Sequence, residues 1–305
     1  MRMKEQTEQF LKNIAGFPPL HHMTPGDIRK VVVANTISDQ FKLSSTEDIP
    51  LQGPHGEFTI RIYRPTTEPL LPVILFFHGG GFVFNRMPDY DPMCSKLAVT
   101  TGYAVVSVDY HLAPEFKFPV PVDEALYAAE WVYDHASSLG LNPNQLAVAG
   151  ESVGANLAAV VAQHARKRIS PAISYQILLC PLTDWTGEHE SRVTNGKGYF
   201  LETALLEYCA DHYLNTDVDR QNPLASPLLG DVTCVAPALI VTAEFDPLRD
   251  EGERYAEKLA EHGVRVAHKR YEGMIHCFYA MTDLFDDGHD VYELIRSELQ
   301  TINNA

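Results

Sequence analysis

The sequence predicts an α/β fold in which a mostly parallel central sheet is flanked by helices. Two observations predict it: short runs that are apolar at nearly every position, and helical segments that separate one run from the next. Strands that are apolar on both faces are typical of a sheet that is covered on each side. Alternation of strands and helices then favours parallel pairing through right-handed crossovers.

The elements follow one another in a regular order. Helical spacing of apolar residues covers parts of 1–25 and 26–35, and a turn at 53–56 precedes an alternating strand at 58–63. The apolar runs that predict central strands lie at 73–77, 104–108, 146–149, 177–179 and 239–242. Helices are predicted at 93–100, 122–137, 153–168 and 252–262, followed by a strand at 264–271 and a helix at 291–302.

One long segment, 183–229, interrupts this alternation. It contains a predicted helix at 202–213 and a proline-containing exit at 222–227. Connections of this length are unusual in a compact domain and often form a lid or a wall of a binding site.

The composition of the 305 residues excludes several classes of protein. Hydrophobic residues make up 45% and charged residues 21%, which is typical of a globular chain rather than a disordered one. The formal net charge of −16 disfavours binding to nucleic acids and to anionic membrane surfaces. No apolar run approaches the ~20 residues that span a bilayer.

The five cysteines are an odd number and include no C-x-x-C pair. This usage disfavours a disulfide framework or a thiolate zinc site and favours a reducing compartment. The polar N-terminal segment shows no signal-peptide core, so the expected location is the cytoplasm.

The strongest chemical signal is Gly-Glu-Ser-Val-Gly at 150–154, between a predicted strand and a predicted helix. This context is typical of a nucleophile elbow, a turn so tight that its neighbouring side chains must be small. Ser152 would then project its Oγ from the top of the sheet, beside the partial positive charge of the helix N-terminus.

A second signal is His78-Gly79-Gly80-Gly81, directly after the predicted strand at 73–77. Consecutive glycines let the backbone approach a substrate and present N–H groups to a developing oxyanion. The alternative, a phosphate-binding loop, is disfavoured because neither a Gly-Lys-Ser/Thr sequence nor a spaced G-x-G-x-x-G is present.

Two further side chains follow strands in the C-terminal half of the chain. Asp246 comes after the strand at 239–242, and His276 after the strand at 264–271. Open α/β sheets build their sites at the C-terminal ends of strands. The chain order Ser152, Asp246, His276 is the order expected for a hydrolase of this topology.

Taken together, these motifs resemble the hormone-sensitive-lipase-like carboxylesterases of the α/β-hydrolase superfamily. The resemblance also includes Asp-Tyr-His-Leu-Ala-Pro-Glu at 109–115, Cys-Pro-Leu-Thr-Asp at 180–184 and Asp-Pro-Leu-Arg-Asp-Glu-Gly at 246–252. It runs from about residue 55 to the C-terminus. It implies the α/β-hydrolase fold with a helical cap, and hydrolysis of short- to medium-chain carboxylic esters without any cofactor or metal.

The resemblance also implies residue roles. Ser152 would be the nucleophile, His276 the base and Asp246 the carboxylate that orients it. The oxyanion donors would be the N–H groups of Gly80, Gly81 and Val153, with His78, Gly79 and Glu151 in support. The implied division is a catalytic domain at 46–183 and 226–305, capped by segments 1–45 and 184–225.

The elbow departs from the family pattern at three positions, Glu151, Val153 and Ala155. The family commonly has Gly-Asp-Ser-Ala-Gly-Gly-Asn, whereas this chain has Gly-Glu-Ser-Val-Gly-Ala-Asn at 150–156. The branched Val153 would narrow the acyl pocket, and Glu151 is one methylene longer than aspartate. These changes affect rate and substrate preference rather than the type of reaction.

Two other functions remain open from the residues alone. A non-catalytic small-molecule receptor on the same fold would retain the pocket, and an amidase or deacetylase would use the same nucleophile on another bond.

His21-His22 and the segment 188–190 contain possible metal ligands, but neither has a matching partner motif. The expected partner is a small ester, with a homodimer as a further possibility. A neutral His276 must accept the proton, so activity should fall as pH drops through roughly 6–7.

Overall fold

The central feature of the computed structural model is one eight-stranded sheet in the order β1-β2-β4-β3-β5-β6-β7-β8. The structure describes residues 3–33, 41–165 and 173–303. The strands are Ser45–Gly53, Gly56–Arg64, Leu71–Phe77, Ala104–Asp109, Leu141–Glu151, Ile173–Leu179, Ala238–Phe245 and Val266–Ile275. β2 pairs antiparallel with β1 and β4, and all other pairs are parallel. The predicted fold class, an α/β-hydrolase fold with a mostly parallel sheet, is confirmed.

In the described residues, nine α-helices surround this sheet. They are α1 to α9 in chain order: Glu5–Ile14, Pro25–Val33, Asp91–Thr101, Val120–His135, Val153–Ala165, Glu190–Thr194, Thr203–Tyr213, Arg249–Glu261 and Asp287–Asn303. None of these helices is long and apolar enough to cross a membrane.

Alternating side chains of the central strands pack in two separate hydrophobic cores, one on each face of the sheet. On β3, Val73, Leu75 and Phe77 pack with α4, α5 and α8, whereas Ile74 and Phe76 pack with α3 and α9. This arrangement explains why the strands are apolar at every position. In open α/β sheets of this kind, sites lie outside the C-terminal ends of the strands.

Several predicted boundaries change in the structure. The helix predicted at 122–137 ends at His135, and the strand predicted at 146–149 is the second half of the longer β5. The helix predicted at 153–168 is described only to Ala165, and the end of the stretch at 26–35 likewise lies outside the described residues. The insert holds a second short helix, α6, that sequence periodicity did not predict.

Candidate active site

The turn between β5 and α5 is as tight as the elbow sequence predicted. Ser152 has a φ of 54°, in the left-handed region that a non-glycine residue rarely occupies. A Cβ on Gly150 would overlap the backbone of Gly154, and a Cβ on Gly154 would overlap the carbonyl of Phe77. The two glycines therefore allow the helix to begin directly against β3 and β5.

Backbone hydrogen bonds hold this strained turn in place. The Ser152 N–H donates to the Leu179 carbonyl at 2.9 Å, and the Leu182 N–H donates to the Ser152 carbonyl at 3.1 Å. Val153 is the first residue of the 13-residue helix α5, so its N–H lies at the positive end of the helix dipole. The serine is thus fixed at the C-terminal edge of the sheet.

The imidazole of His276 is bound to the carboxylate of Asp246. His276 Nδ1 lies 2.7 Å from Asp246 Oδ2, and only 4% of the histidine and none of the aspartate is exposed. With Nδ1–H donating to the carboxylate, Nε2 is left as the nitrogen that can accept a proton. Burial lowers the pKa of His276, but the charge of Asp246 and its hydrogen bond raise the pKa above the ordinary value.

Asp246 and His276 follow two neighbouring strands. These strands, β7 and β8, pair in parallel up to Phe245 and Ile275. Cys180, directly after β6, places its Sγ within 4.8 Å of polar atoms of both residues. The elbow serine follows β5, which pairs with β6. The three predicted residues therefore follow three parallel strands of one sheet, β5, β7 and β8, at the same edge.

The ends of β7 and β8, next to Asp246 and His276, are anchored by residues that the sequence analysis did not single out. The buried Thr7 hydroxyl of α1 donates to the Gly273 carbonyl at 2.8 Å, and the Gly273 N–H donates to Glu244 Oε2 at 2.7 Å. Asn195 Nδ2 donates to the carbonyls of Glu244 and Asp246 at 3.0 and 3.2 Å. No local pattern signals these contacts, because the partners are far apart in the chain.

The glycine loop lies between the sheet and the inserted segment. Gly80 and Gly81 have positive φ values of 107° and 63°. A Cβ on Gly80 would overlap the Phe84 carbonyl, and one on Gly81 would overlap Cys209 Sγ of α7. In the described part of the chain, no backbone carbonyl accepts a hydrogen bond from the N–H of Gly80, Gly81 or Val153.

His78 supports this loop from below. Its ring stacks on Tyr110 with centroids 4.2 Å apart, and its Nδ1 contacts the Gly79 carbonyl at 2.8 Å. The Tyr110 hydroxyl donates to the His78 carbonyl at 2.6 Å. Complete burial lowers the pKa of His78, which favours the neutral ring.

Inserted and N-terminal segments cover the same region. Tyr213 of α7 stacks on Phe82 with ring centroids 4.0 Å apart, and Trp185 lies against the same ring. Arg29 of α2 donates to the carbonyls of Val83 and Ala113 at 2.8 and 2.7 Å. These contacts give the glycine loop an aromatic, buried surrounding.

The groups of described residues that could hold a metal ion all belong to this site. They are Glu151 with His276 and Cys277, and Cys180 with Asp246 and His276. The most basic member, His276, is already bound to Asp246. Of the other histidines weighed as ligands, His189 contacts Asp184 at 2.8 Å, and His21 and His22 pack edge to face on each other.

Comparisons with known proteins show which family this chain resembles. A family model of the alpha/beta hydrolase fold matches residues 74–280. An ethyl acetate hydrolase of Pseudomonas putida is 37% identical over 79% of this chain and 77% of its own length. An arylesterase of Saccharolobus solfataricus is 35% identical over 77% and 78% of the two chains.

Solved structures resemble the whole chain. A hyperthermophilic esterase from the archaeon Pyrobaculum calidifontis superposes with a TM-score of 0.94 at 36% identity, covering 100% of both chains. A thermostable esterase from Pseudomonas putida superposes with a TM-score of 0.92 at 35% identity, covering 98% of this chain and 97% of the other.

Proposed function

The chain belongs to the alpha/beta hydrolase fold family, and from that premise we propose that it is a serine carboxylic-ester hydrolase. The observation that carries this proposal is the buried hydrogen bond between His276 and Asp246 beside the strained turn of Ser152. A buried imidazole that is bound to a carboxylate at one nitrogen is the arrangement that activates a neighbouring hydroxyl.

The proposed reaction begins with proton transfer from Ser152 Oγ to Nε2 of His276 as Oγ attacks the ester carbonyl. Asp246 fixes the imidazole tautomer and stabilises the imidazolium that forms. The alcohol then leaves with the proton from His276. Water attacks the acyl-enzyme by the same route, which releases the acid and restores the serine.

The oxyanion is proposed to be held by the backbone N–H groups of Gly80, Gly81 and Val153. Their positions support this role, because two lie on a loop with positive φ and the third begins a long helix. Preorganised N–H donors stabilise the negative charge that develops on the carbonyl oxygen during attack.

We also propose the division into a catalytic domain, 46–183 and 226–305, and a cap formed by 1–45 and 184–225. Asn156 supports it, because its Nδ2 donates to the carbonyls of Leu182 and Ala225 at 3.0 and 2.6 Å, where the insert leaves and rejoins the domain. Trp185 and Tyr213 of this cap pack on the buried ring of Phe82, and the capped pocket of the family favours short- to medium-chain acyl groups. A series of aryl esters of increasing acyl length tests that preference.

The cellular location and the homodimer are also proposals. All five cysteines are free thiols, which supports a reducing compartment and hence the cytoplasm. β8 is one of the two edge strands of the sheet, and its outer edge is the surface proposed for a homodimer. Cell fractionation and light scattering of the purified protein test these two statements.

The function is tested by labelling with a fluorophosphonate, which reacts with activated serines. We expect one label per chain, on the peptide that contains Ser152, and loss of ester turnover in proportion to labelling. A receptor on the same fold would bind small molecules without being labelled. An amidase would hydrolyse an anilide faster than the matching aryl acetate, and we expect the opposite order.

A further inference from the structure

Glu151 is a buried carboxylate at the centre of the site for which the reaction above has no use. It precedes Ser152 in the elbow, and only 1% of its surface is exposed. Burying a carboxylate is unfavourable unless its oxygens are hydrogen-bonded. The residues that satisfy it therefore indicate why it is there.

Three side-chain donors converge on this carboxylate. The Tyr90 hydroxyl donates to Oε1, while the Cys277 thiol and the Tyr279 hydroxyl donate to Oε2 at 2.9 and 3.2 Å. Burial raises the pKa of all three donors, which keeps their hydrogens in place. Both oxygens of the Glu151 carboxylate are therefore hydrogen-bonded.

The position of these donors connects Glu151 to the rest of the site. Cys277 directly follows His276, so the carboxylate joins the elbow to the loop that carries the imidazole. The glycine loop closes the other side, because a Cβ on Gly79 would overlap the Glu151 carboxylate. An oxygen of Glu151, Cys277 Sγ and a ring nitrogen of His276 all lie within 4.8 Å of one another.

The surroundings of His276 are strongly acidic. The carboxylates that raise its pKa are those of Asp246, Glu151 and Glu251, and the adjacent thiols are those of Cys180 and Cys277. Burial raises the pKa of both thiols, so they stay neutral. Glu151 is therefore a second carboxylate close to the imidazole, beside the carboxylate of Asp246 that binds it.

We propose that Glu151 is a positioning residue for His276. Its carboxylate ties the histidine loop to the elbow through Cys277 and Tyr279, and it stabilises the imidazolium formed during the reaction. The inference rests on the ester hydrolysis proposed above and adds a second carboxylate to it. The family commonly has aspartate at this position, and the extra methylene of glutamate lengthens its reach from the elbow toward the thiol of Cys277.

The test compares Glu151→Gln, which removes the charge, with Glu151→Asp, which keeps it. In Glu151→Gln we expect the apparent pKa of the acidic limb of kcat/KM to fall by about one unit, as an opposite charge within ~4–6 Å requires. We expect kcat on the alkaline plateau to fall about tenfold with KM unchanged, since one pKa unit is a tenfold change in proton affinity. Glu151→Asp should keep the wild-type value of the apparent pKa of this acidic limb.

Glu298→Gln is the matched control, because Glu298 also accepts a hydrogen bond from a tyrosine, Tyr175, at 2.9 Å. Glu298→Gln makes the same chemical change away from the histidine. It should alter neither the apparent pKa of the acidic limb of kcat/KM nor kcat. An NMR titration of the His276 ring, assigned by comparison with His276→Gln, measures the same pKa shift without turnover.

The proposal is overturned if folded Glu151→Gln shows the wild-type pKa of His276, or if Glu151→Asp shifts it equally. Should Glu151→Gln fail to fold, Cys277 decides the matter. Cys277→Ala should lower kcat with KM unchanged, and Cys277→Ser, which still donates to the carboxylate, should restore it. Equal activity of these two variants contradicts the link. Absence of ester turnover in the wild type would instead refute the proposed function.

Discussion

His276 Nδ1 lies 2.7 Å from Oδ2 of Asp246, although the two residues are 30 positions apart in the chain. The parallel pairing of β7 and β8 creates this contact, because each residue follows the end of its strand. We predict that Asp246→Asn lowers kcat about 10⁴-fold, since the amide favours the wrong imidazole tautomer. Asp290→Asn is the control: its carboxylate binds Tyr271 and Lys269 on β8, and its loss should leave kcat unchanged.

The pH dependence of kcat/KM should report the pKa of His276 in the free enzyme. Burial lowers that pKa, but the carboxylates of Asp246, Glu151 and Glu251 raise it above the ordinary value of 6.5. The imidazole must be neutral to accept the serine proton, so a raised pKa moves the loss of activity to higher pH. We expect activity to fall as pH drops through a value above 6.5 and to be constant at higher pH. An acidic limb of kcat/KM with an apparent pKa at or below 6.5 contradicts this prediction.

The glycine loop tolerates no side chain. We predict that Gly81→Ala lowers kcat about 10²–10³-fold, the effect of losing one oxyanion donor, because the new methyl group would displace the loop from Cys209 of α7. Gly263→Ala is the control, since Gly263 also has a positive φ, 74°, with no atom within 4 Å of the added Cβ. It should lose some stability, and its kcat should match the wild type. Equal kcat values for both variants would argue against the loop as an oxyanion hole.

A buried ion pair fastens the insert to the catalytic domain. Arg192 Nε of α6 donates to Glu251 Oε2 of α8 at 2.8 Å, and both side chains are buried. We predict that Arg192→Met lowers the free energy of unfolding by about 3–5 kcal/mol, because it leaves a buried carboxylate unpaired. Urea denaturation measures the change. Arg254→Met, which breaks an exposed pair with Glu257, should change it by less than about 1 kcal/mol.

The sequence was most informative where structure is local. The apolar runs located the central strands, and the order of Ser152, Asp246 and His276 after three of them anticipated that they share one edge of the sheet. Boundaries were less predictable. β5 begins at Leu141, five residues before its apolar run, because Leu141 pairs with Leu71 of β3 ahead of an irregularity in the register.

The supporting contacts of the site could not be predicted, because they join segments that are distant in the chain. The bond between Thr7 and Gly273 spans 266 positions, and that between Glu151 and Cys277 spans 126. Neither pair has a sequence pattern that would relate its members. α6 was missed for a different reason: it has only five residues and is held by contacts of Ser191 and Arg192 with the domain rather than by apolar periodicity.

The most direct test of the account is the turnover of an aryl acetate by Ser152→Ala. The account predicts a folded protein whose kcat is lower by a factor on the order of 10⁶, because the nucleophile and its base act as one unit. Turnover at the wild-type rate by a folded and uncontaminated Ser152→Ala protein would contradict it.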